Sequence, residues 1–151
     1  MVGWMGINIR TKGASAEREI ASMLNAVIRE VLEVAGIPDI DNPNYYVVRN
    51  TLQSAIGGDD LTNTYGFSIE VKRQEALAIN TWWKQCTKSA SEKNYIPVLI
   101  YRQNRGKWKV ITKTLLTTPC RRKARIVIAE TNIENFIDIF RDQVEITLRG
   151  V

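Results

Sequence analysis

The sequence predicts a single α/β domain in which helices flank a mixed central sheet. Apolar side chains recur at helical spacing in three segments, at residues 15–35, 77–94 and 131–146. Strand patterns, either alternating or continuously apolar, occupy residues 45–49, 67–72, 96–101, 107–111 and 126–129. The chain has 151 residues, enough for one substantial core, and no linker or internal repeat divides it.

The first helix is predicted to begin at Ser15, a suitable N-cap, and to end at Gly36. Its buried stripe follows i, i+3, i+4 spacing, which places Glu19 on the solvent-facing side. Residues 1–11 precede this helix and are predicted to form an N-terminal arm that becomes ordered only against a partner.

The second helix carries Trp82, Trp83 and Cys86 on one side. Paired tryptophans at this spacing are more typical of a core than of a base-stacking surface, so a core role is favoured. The nearly all-apolar run at residues 96–101 indicates a strand covered on both faces, and residues 104–106 supply a hairpin turn to the next strand.

Composition excludes several kinds of active site. The chain contains no histidine, so a Ser-His-Asp triad, a Cys-His dyad and a histidine-ligated zinc are impossible. Its two cysteines fit no metal spacing and are too few for a disulfide scaffold, which favours a cytoplasmic protein with reduced thiols. There is no apolar run long enough to span a bilayer. A net charge of +5 is compatible with a polyanionic partner.

The strand at residues 67–72 is predicted to carry the chemistry. Its alternation, typical of a half-buried strand, places Glu70, Lys72 and Gln74 on one face and three apolar residues on the other. Asp59 and Asp60 precede this strand.

A Gly57–Gly58 turn is predicted to bring these two aspartates to the strand. Nearby carboxylates can hold a hard divalent cation, and a neighbouring lysine can orient water or stabilise charge on a phosphate. This is the equipment of a metal-dependent phosphodiesterase.

Two plainer interpretations stand beside this hypothesis. An isolated Glu-x-Lys on a strand is more often a solvated face, and a Gly-Asp sequence often marks only a tight turn. Glu17 continues the buried stripe of the first helix, where an unpaired charge is costly. Either the helix end frays into water there, or Glu17 faces the site formed by Asp60, Glu70 and Lys72.

Separate segments of the chain carry a family resemblance. Residues 12–19, Lys-Gly-Ala-Ser-Ala-Glu-Arg-Glu, resemble the opening of the archaeal-type Holliday junction resolvases, a branch of the PD-(D/E)XK nuclease superfamily. Val-Val-Arg at residues 47–49 and Glu-Val-Lys at residues 70–72 are similar to two further motifs of that family. Residues 82–85 and 97–102 look like phage or prophage versions. The resemblance covers roughly residues 12–111.

The resemblance implies a restriction-endonuclease-like fold and Mg2+-dependent hydrolysis of phosphodiester bonds in four-way DNA junctions, with Mn2+ able to substitute. It maps catalytic roles onto Glu17, Asp60, Glu70 and Lys72, to which Gln74 is added from its place on the same strand face. The implied metal ligands are Asp60, Glu70 and the Val71 carbonyl, with Glu17 acting through a second ion or a bridging water. Family members more often have proline or an apolar residue where Asp59 stands, so either aspartate could be the ligand.

The resemblance also implies partners. Resolving a four-way junction requires two symmetric cuts, hence a homodimer. The basic residues predicted to grip the DNA backbone are Arg18, Arg49, Arg102, Arg105, Arg121, Arg122 and Lys123. If the chain is phage-encoded, it would act in the host-cell cytoplasm. Two alternatives remain: a related nuclease acting on other branched or duplex DNA, and a catalytically silent DNA-binding protein.

Overall fold

A computed structural model describes residues 2–51 and 59–150, with side chains from residue 12 onward. The predicted Gly57–Gly58 turn lies outside these residues. Three α-helices are present in the described part of the chain: α1 (Val2–Val34), α2 (Ile79–Lys93) and α3 (Ile133–Arg149). The strands are β1 (Val48–Arg49), β2 (Leu61–Thr62), β3 (Phe67–Arg73), β4 (Ile96–Arg102), β5 (Lys109–Thr117) and β6 (Ala124–Asn132).

The central sheet is mixed, as predicted. Its strand order is β3-β4-β5-β6, in which β3 and β4 are parallel and the other neighbours are antiparallel. The parallel connection requires a crossover, and α2 provides it between β3 and β4. β1 and β2 form a separate antiparallel pair that leads into β3. The α/β fold, with a mixed sheet flanked by helices, is therefore confirmed and is consistent with the restriction-endonuclease type.

The sheet is covered on both faces. α1 and α3 pack on one face against apolar residues of β3, including Phe67, Ile69 and Val71, as the alternation predicted. On the other face, Trp82 and Cys86 of α2 pack against residues of β4 and β5. The core role of Trp82 is confirmed, whereas β3 is buried on both faces at residues 67–71 rather than half-buried. The cause is α2, which covers the face that carries Ser68 and Glu70.

Some helix and strand boundaries differ from those that the local sequence patterns predicted. The predicted start of the first helix at Ser15 is wrong, because the helical backbone begins at Val2 and Ser15 lies inside it. β5 and β6 are both longer than predicted and pair over their full length, from Lys109 opposite Asn132 to Thr117 opposite Ala124. No helix in the described ranges is both long and apolar enough to cross a membrane.

Glu19 is partly exposed, with 36% of its side chain accessible, but its carboxylate is engaged by two partners rather than only solvated. One of its carboxylate oxygens accepts a hydrogen bond from Trp108 Nε1 at 3.0 Å, and the other lies 3.2 Å from Arg102 Nη2. The Arg102 guanidinium also stacks over the Trp108 ring, 4.6 Å from its centroid. This cluster ties α1 to β4 and to the start of β5.

Candidate active site

A groove of about 550 Å3 opens at the end of β3 where that strand meets α1 and β2. It is lined by residues from several elements, among them Lys12, Glu17, Asp60, Val71, Lys72, Gln74 and Asn104. Four of the five predicted catalytic residues therefore line one groove. The fifth, Glu70, is buried and forms an ion pair with Lys72. Lys12 and Asn104 were not predicted; Lys12 begins the quoted 12–19 motif, whereas Asn104 had no local signal.

Asp60 is fixed by backbone hydrogen bonds immediately before β2. Its N–H donates to the Ile69 carbonyl at 3.1 Å, and its carboxylate accepts from the Val71 N–H at 2.6 Å. The side chain is buried, with 3% of the residue exposed. Burial and, second to it, the charge of Glu70 raise the pKa of Asp60 to about 7.

Glu70 and Lys72 stand on the same face of β3, as period-two alternation requires. Lys72 Nζ lies 3.0 Å from a Glu70 carboxylate oxygen, and the Glu70 side chain is 6% exposed. Burial raises the pKa of Glu70, and the Lys72 ammonium partly opposes that shift. The charge on Glu17 raises the pKa of both Asp60 and Glu70, so the three carboxylates influence one another electrostatically.

Glu17 enters the groove from α1 and pairs with Arg49 of β1, whose Nε donates to it at 2.7 Å. Because α1 continues upstream of Ser15, the interpretation of Glu17 as a frayed helix end is wrong. Its charge is instead compensated by a cation, which allows a half-buried carboxylate to persist on this stripe.

The donor set partly fits a divalent metal ion. Every candidate ligand offers oxygen, which suits a hard cation such as Mg2+. The mutual repulsion of buried Asp60 and Glu70 is the kind of unfavourable energy that a bound cation relieves. Across residues 2–51 and 59–150, however, no three His, Cys, Asp or Glu side chains come close enough to hold an ion together. Glu70 is paired with Lys72, and Glu17 is engaged by Arg49.

Asp59 and Asp60 occupy different environments. The Asp59 carboxylate is 1% exposed; Ser68 Oγ donates to one oxygen at 2.5 Å, and Lys93 Nζ lies 3.1 Å from the other. The Asp59 backbone carbonyl also accepts from Asn50 Nδ2 at 3.0 Å. Asp59 therefore anchors the chain to α2 and β3, while Asp60 reaches the groove. Neither Ser68 nor Lys93 was identified from sequence, because Lys93 is 34 residues from Asp59.

Replacing Asp59 with alanine is expected to lower the free energy of unfolding by about 2–3 kcal/mol, because it removes a charge-assisted hydrogen bond and strands Ser68 Oγ. Chemical denaturation would measure this change. Lys93→Met should also destabilise the fold, since it leaves a buried carboxylate without its cation. The matched control is Lys88→Met on an exposed position of the same helix. Equal stability of all three variants would contradict an anchoring role for Asp59.

The predicted DNA-contacting residues are placed unequally. Arg18 and Arg105 are exposed, the latter in the turn between β4 and β5. Arg102 and Arg49 are held by Glu19 and Glu17, so their charge is shared with an acid. The basic set at residues 121–123 is exposed in the turn between β5 and β6. DNA contact by any of these seven basic residues remains a prediction.

Comparison with known proteins gives a family. A family model described as "Phage putative PDDEXK endonuclease" matches residues 8–148, which is most of the chain. No curated protein and no solved structure matches the chain. The matched region includes all the groove residues described above.

Proposed function

This chain belongs to the phage PDDEXK endonuclease family, and we propose that it is a metal-dependent DNA endonuclease that resolves four-way junctions. The observation that carries the chemical part of the proposal is the buried pair of Asp60 and Glu70 beside the Lys72 ammonium, at a groove that Asp60 and Lys72 line. Burial, like charge and an adjacent cation together are typical of a functional site rather than of a solvated strand face.

Asp60, Glu70 and the Val71 carbonyl would hold a divalent ion, Mg2+ or Mn2+, with Glu17 acting at a second ion or through a bridging water. Such an ion, when bound, lowers the pKa of a coordinated water and neutralises charge on a phosphate. Lys72 would orient the attacking water or stabilise negative charge on the scissile phosphate. Gln74, exposed at the groove wall, would hold the water or a phosphate oxygen through its amide.

Junction resolution rests on the motifs at residues 12–19, 47–49 and 70–72, which are similar to those of archaeal-type resolvases. A homodimer follows from the need for two symmetric cuts. Support for a second copy comes from α3, where Ile139 and Ile146 are 56% and 51% exposed beside an apolar groove of about 480 Å3. Exposed apolar surface of this kind is one mark of a protein–protein contact.

A panel of end-labelled substrates tests the substrate class. Purified protein should cut a four-way junction in Mg2+ at least about tenfold faster than linear duplex of the same sequence, because a resolvase binds the branched shape; a tenfold rate ratio corresponds to about 1.4 kcal/mol of transition-state discrimination. Flaps and splayed ends complete the panel.

Equal cutting of junction and linear duplex would support instead a related nuclease with the same catalytic residues but another DNA substrate. Specific binding of DNA without any cleavage in Mg2+ or Mn2+ would support the catalytically silent alternative. Sedimentation of the protein with and without junction DNA would report the oligomeric state.

A further inference from the structure

β5 and β6 extend beyond the rest of the sheet as a two-stranded ribbon, defined here as residues 113–128. The last residue of β5 that is registered with β4 is Thr112, opposite Val98, whereas β5 continues to pair with β6 as far as Thr117. Most of this ribbon is exposed. The ribbon therefore projects from the sheet with both of its faces open to solvent, where a partner can reach them.

All of the net charge of the protein lies in this ribbon. It contains five basic residues, Lys113, Arg121, Arg122, Lys123 and Arg125, and no acidic residue. The whole chain has 21 basic and 16 acidic residues, so the 16 basic residues outside the ribbon are balanced by 16 acids. Such segregation makes the ribbon a cationic arm on an otherwise neutral body, which favours a polyanionic partner.

The paired strands of the ribbon also carry exposed aliphatic side chains. Leu115 and Ile126 are opposite one another on one face and are 61% and 72% exposed, and Ile128 on the same face is 59% exposed. Leu116 is on the other face and is 64% exposed. Apolar side chains of this kind can contact sugars and base edges inside a DNA groove, while basic residues near the tip contact phosphates.

The register of the sheet sets the distance from the active site to the ribbon tip. Lys72 is opposite Tyr101, and Tyr101 is opposite Lys109. Thr117 is eight residues farther along β5, or about 26 Å at the rise of an extended strand. For a duplex that runs along the strand direction, at about 3.4 Å per base pair, the tip would meet the DNA roughly 7–8 base pairs from a phosphodiester in the catalytic groove.

We propose that the ribbon is a DNA-binding arm that lies in a groove of the double-stranded DNA flanking the cleavage site. The major groove of B-DNA is about 12 Å wide and admits a two-stranded β-ribbon. The charge distribution favours DNA over a second copy of the chain, because two cationic ribbons brought together would repel one another. This inference rests on the proposed nuclease function. It assigns to the ribbon a contact with the duplex several base pairs from the reacting phosphate.

The test compares two triple variants that each lower the net charge from +5 to +2. The ribbon variant is Arg121→Gln, Arg122→Gln, Lys123→Gln. The control is Lys84→Gln, Lys88→Gln, Arg149→Gln, at exposed positions on α2 and α3. Affinity for a labelled 40-base-pair duplex is measured at several salt concentrations in EDTA. The slope of log affinity against log salt should fall by about 2–3 for the ribbon variant, since each lost phosphate contact removes about 0.9.

The control variant should change the slope by less than about 1. A conservative variant, Arg121→Lys with Arg122→Lys, should keep the wild-type slope, which separates loss of charge from loss of folding. Hydroxyl-radical footprinting should show that the ribbon variant loses protection 7–8 base pairs from the cleavage position, a distance set by strand rise.

Three outcomes would overturn the inference. The ribbon variant could keep the wild-type slope and footprint, or the control could lose as much affinity as the ribbon variant. The ribbon variant could also change the oligomeric mass with DNA affinity unaltered, which would assign the ribbon to a second copy. In each of these cases wild-type cleavage would still support the proposed nuclease function. Absence of DNA binding and of cleavage by the wild-type protein would overturn both.

Discussion

Replacing Lys72 with alanine is expected to slow Mg2+-dependent DNA cleavage roughly 100- to 1,000-fold, the range typical for loss of one preorganised charge-stabilising group. DNA affinity should remain, because the ribbon and other exposed basic residues are untouched. The measurements are single-turnover cleavage at saturating protein and a binding isotherm in EDTA. Their combination separates a lost chemical group from a lost substrate contact.

The matched control is Lys84→Ala, which removes a lysine from an exposed position on α2. Its cleavage rate should be unchanged within about twofold. Lys72→Ala also removes the cation that opposes the upward pKa shift of buried Glu70, so its thermal unfolding should be recorded in parallel. Equal cleavage by Lys72→Ala and wild type would exclude Lys72 from the reaction.

Replacing Asp60 with asparagine should abolish cleavage yet stabilise the metal-free protein. The native pKa of Asp60, about 7, lies above its ordinary value of 3.8, so the folded state holds a proton that the unfolded state releases between these values. Stability of the wild type in EDTA should therefore decrease as pH rises from about 4 to about 7. Asparagine has no such charge, and the variant should gain about 2–4 kcal/mol at pH 8.

Asp59 provides the internal comparison for this experiment. It is the neighbouring residue in the chain. Although its charge also raises the pKa of Glu70, its carboxylate is paired with the Lys93 ammonium and accepts a hydrogen bond from Ser68. Asp59→Asn should therefore lower stability where Asp60→Asn raises it. Unfolding in EDTA at pH 5 and pH 8 would measure both effects. Destabilisation of the same size by both substitutions would contradict the different environments assigned to the two aspartates.

Local patterns predicted much of the fold. The alternation of β3 identified which residues face the core, and Asn132, whose side chain accepts from the Asn135 N–H, caps α3 close to the predicted start. The start of α1 was missed because Ser15 is a good N-cap by type, and a cap signal does not exclude helix on its upstream side. A glycine inside a helix costs only about 1 kcal/mol, so Gly13 does not end α1.

The candidate site was partly predictable for a similar reason. Glu70 and Lys72 are two residues apart on one strand, so the period-two alternation alone predicts that they share a face. The partners that hold the remaining acids are distant in sequence: Arg49 is 32 residues from Glu17, and Arg102 is 83 residues from Glu19. A charged residue reveals no such long-range pairing in its local pattern. The Glu17 and Glu19 environments could therefore be assigned only from the structure.

Cleavage of labelled DNA in a titration of Mg2+, with wild-type protein and Asp60→Asn compared at the same DNA occupancy, tests the central claim most directly. A buried pair of carboxylates beside Lys72 predicts cleavage that rises with Mg2+, stops in EDTA and is absent from the Asp60 variant at every ion concentration. Cleavage that is independent of Mg2+, or equal in the two proteins, would contradict it.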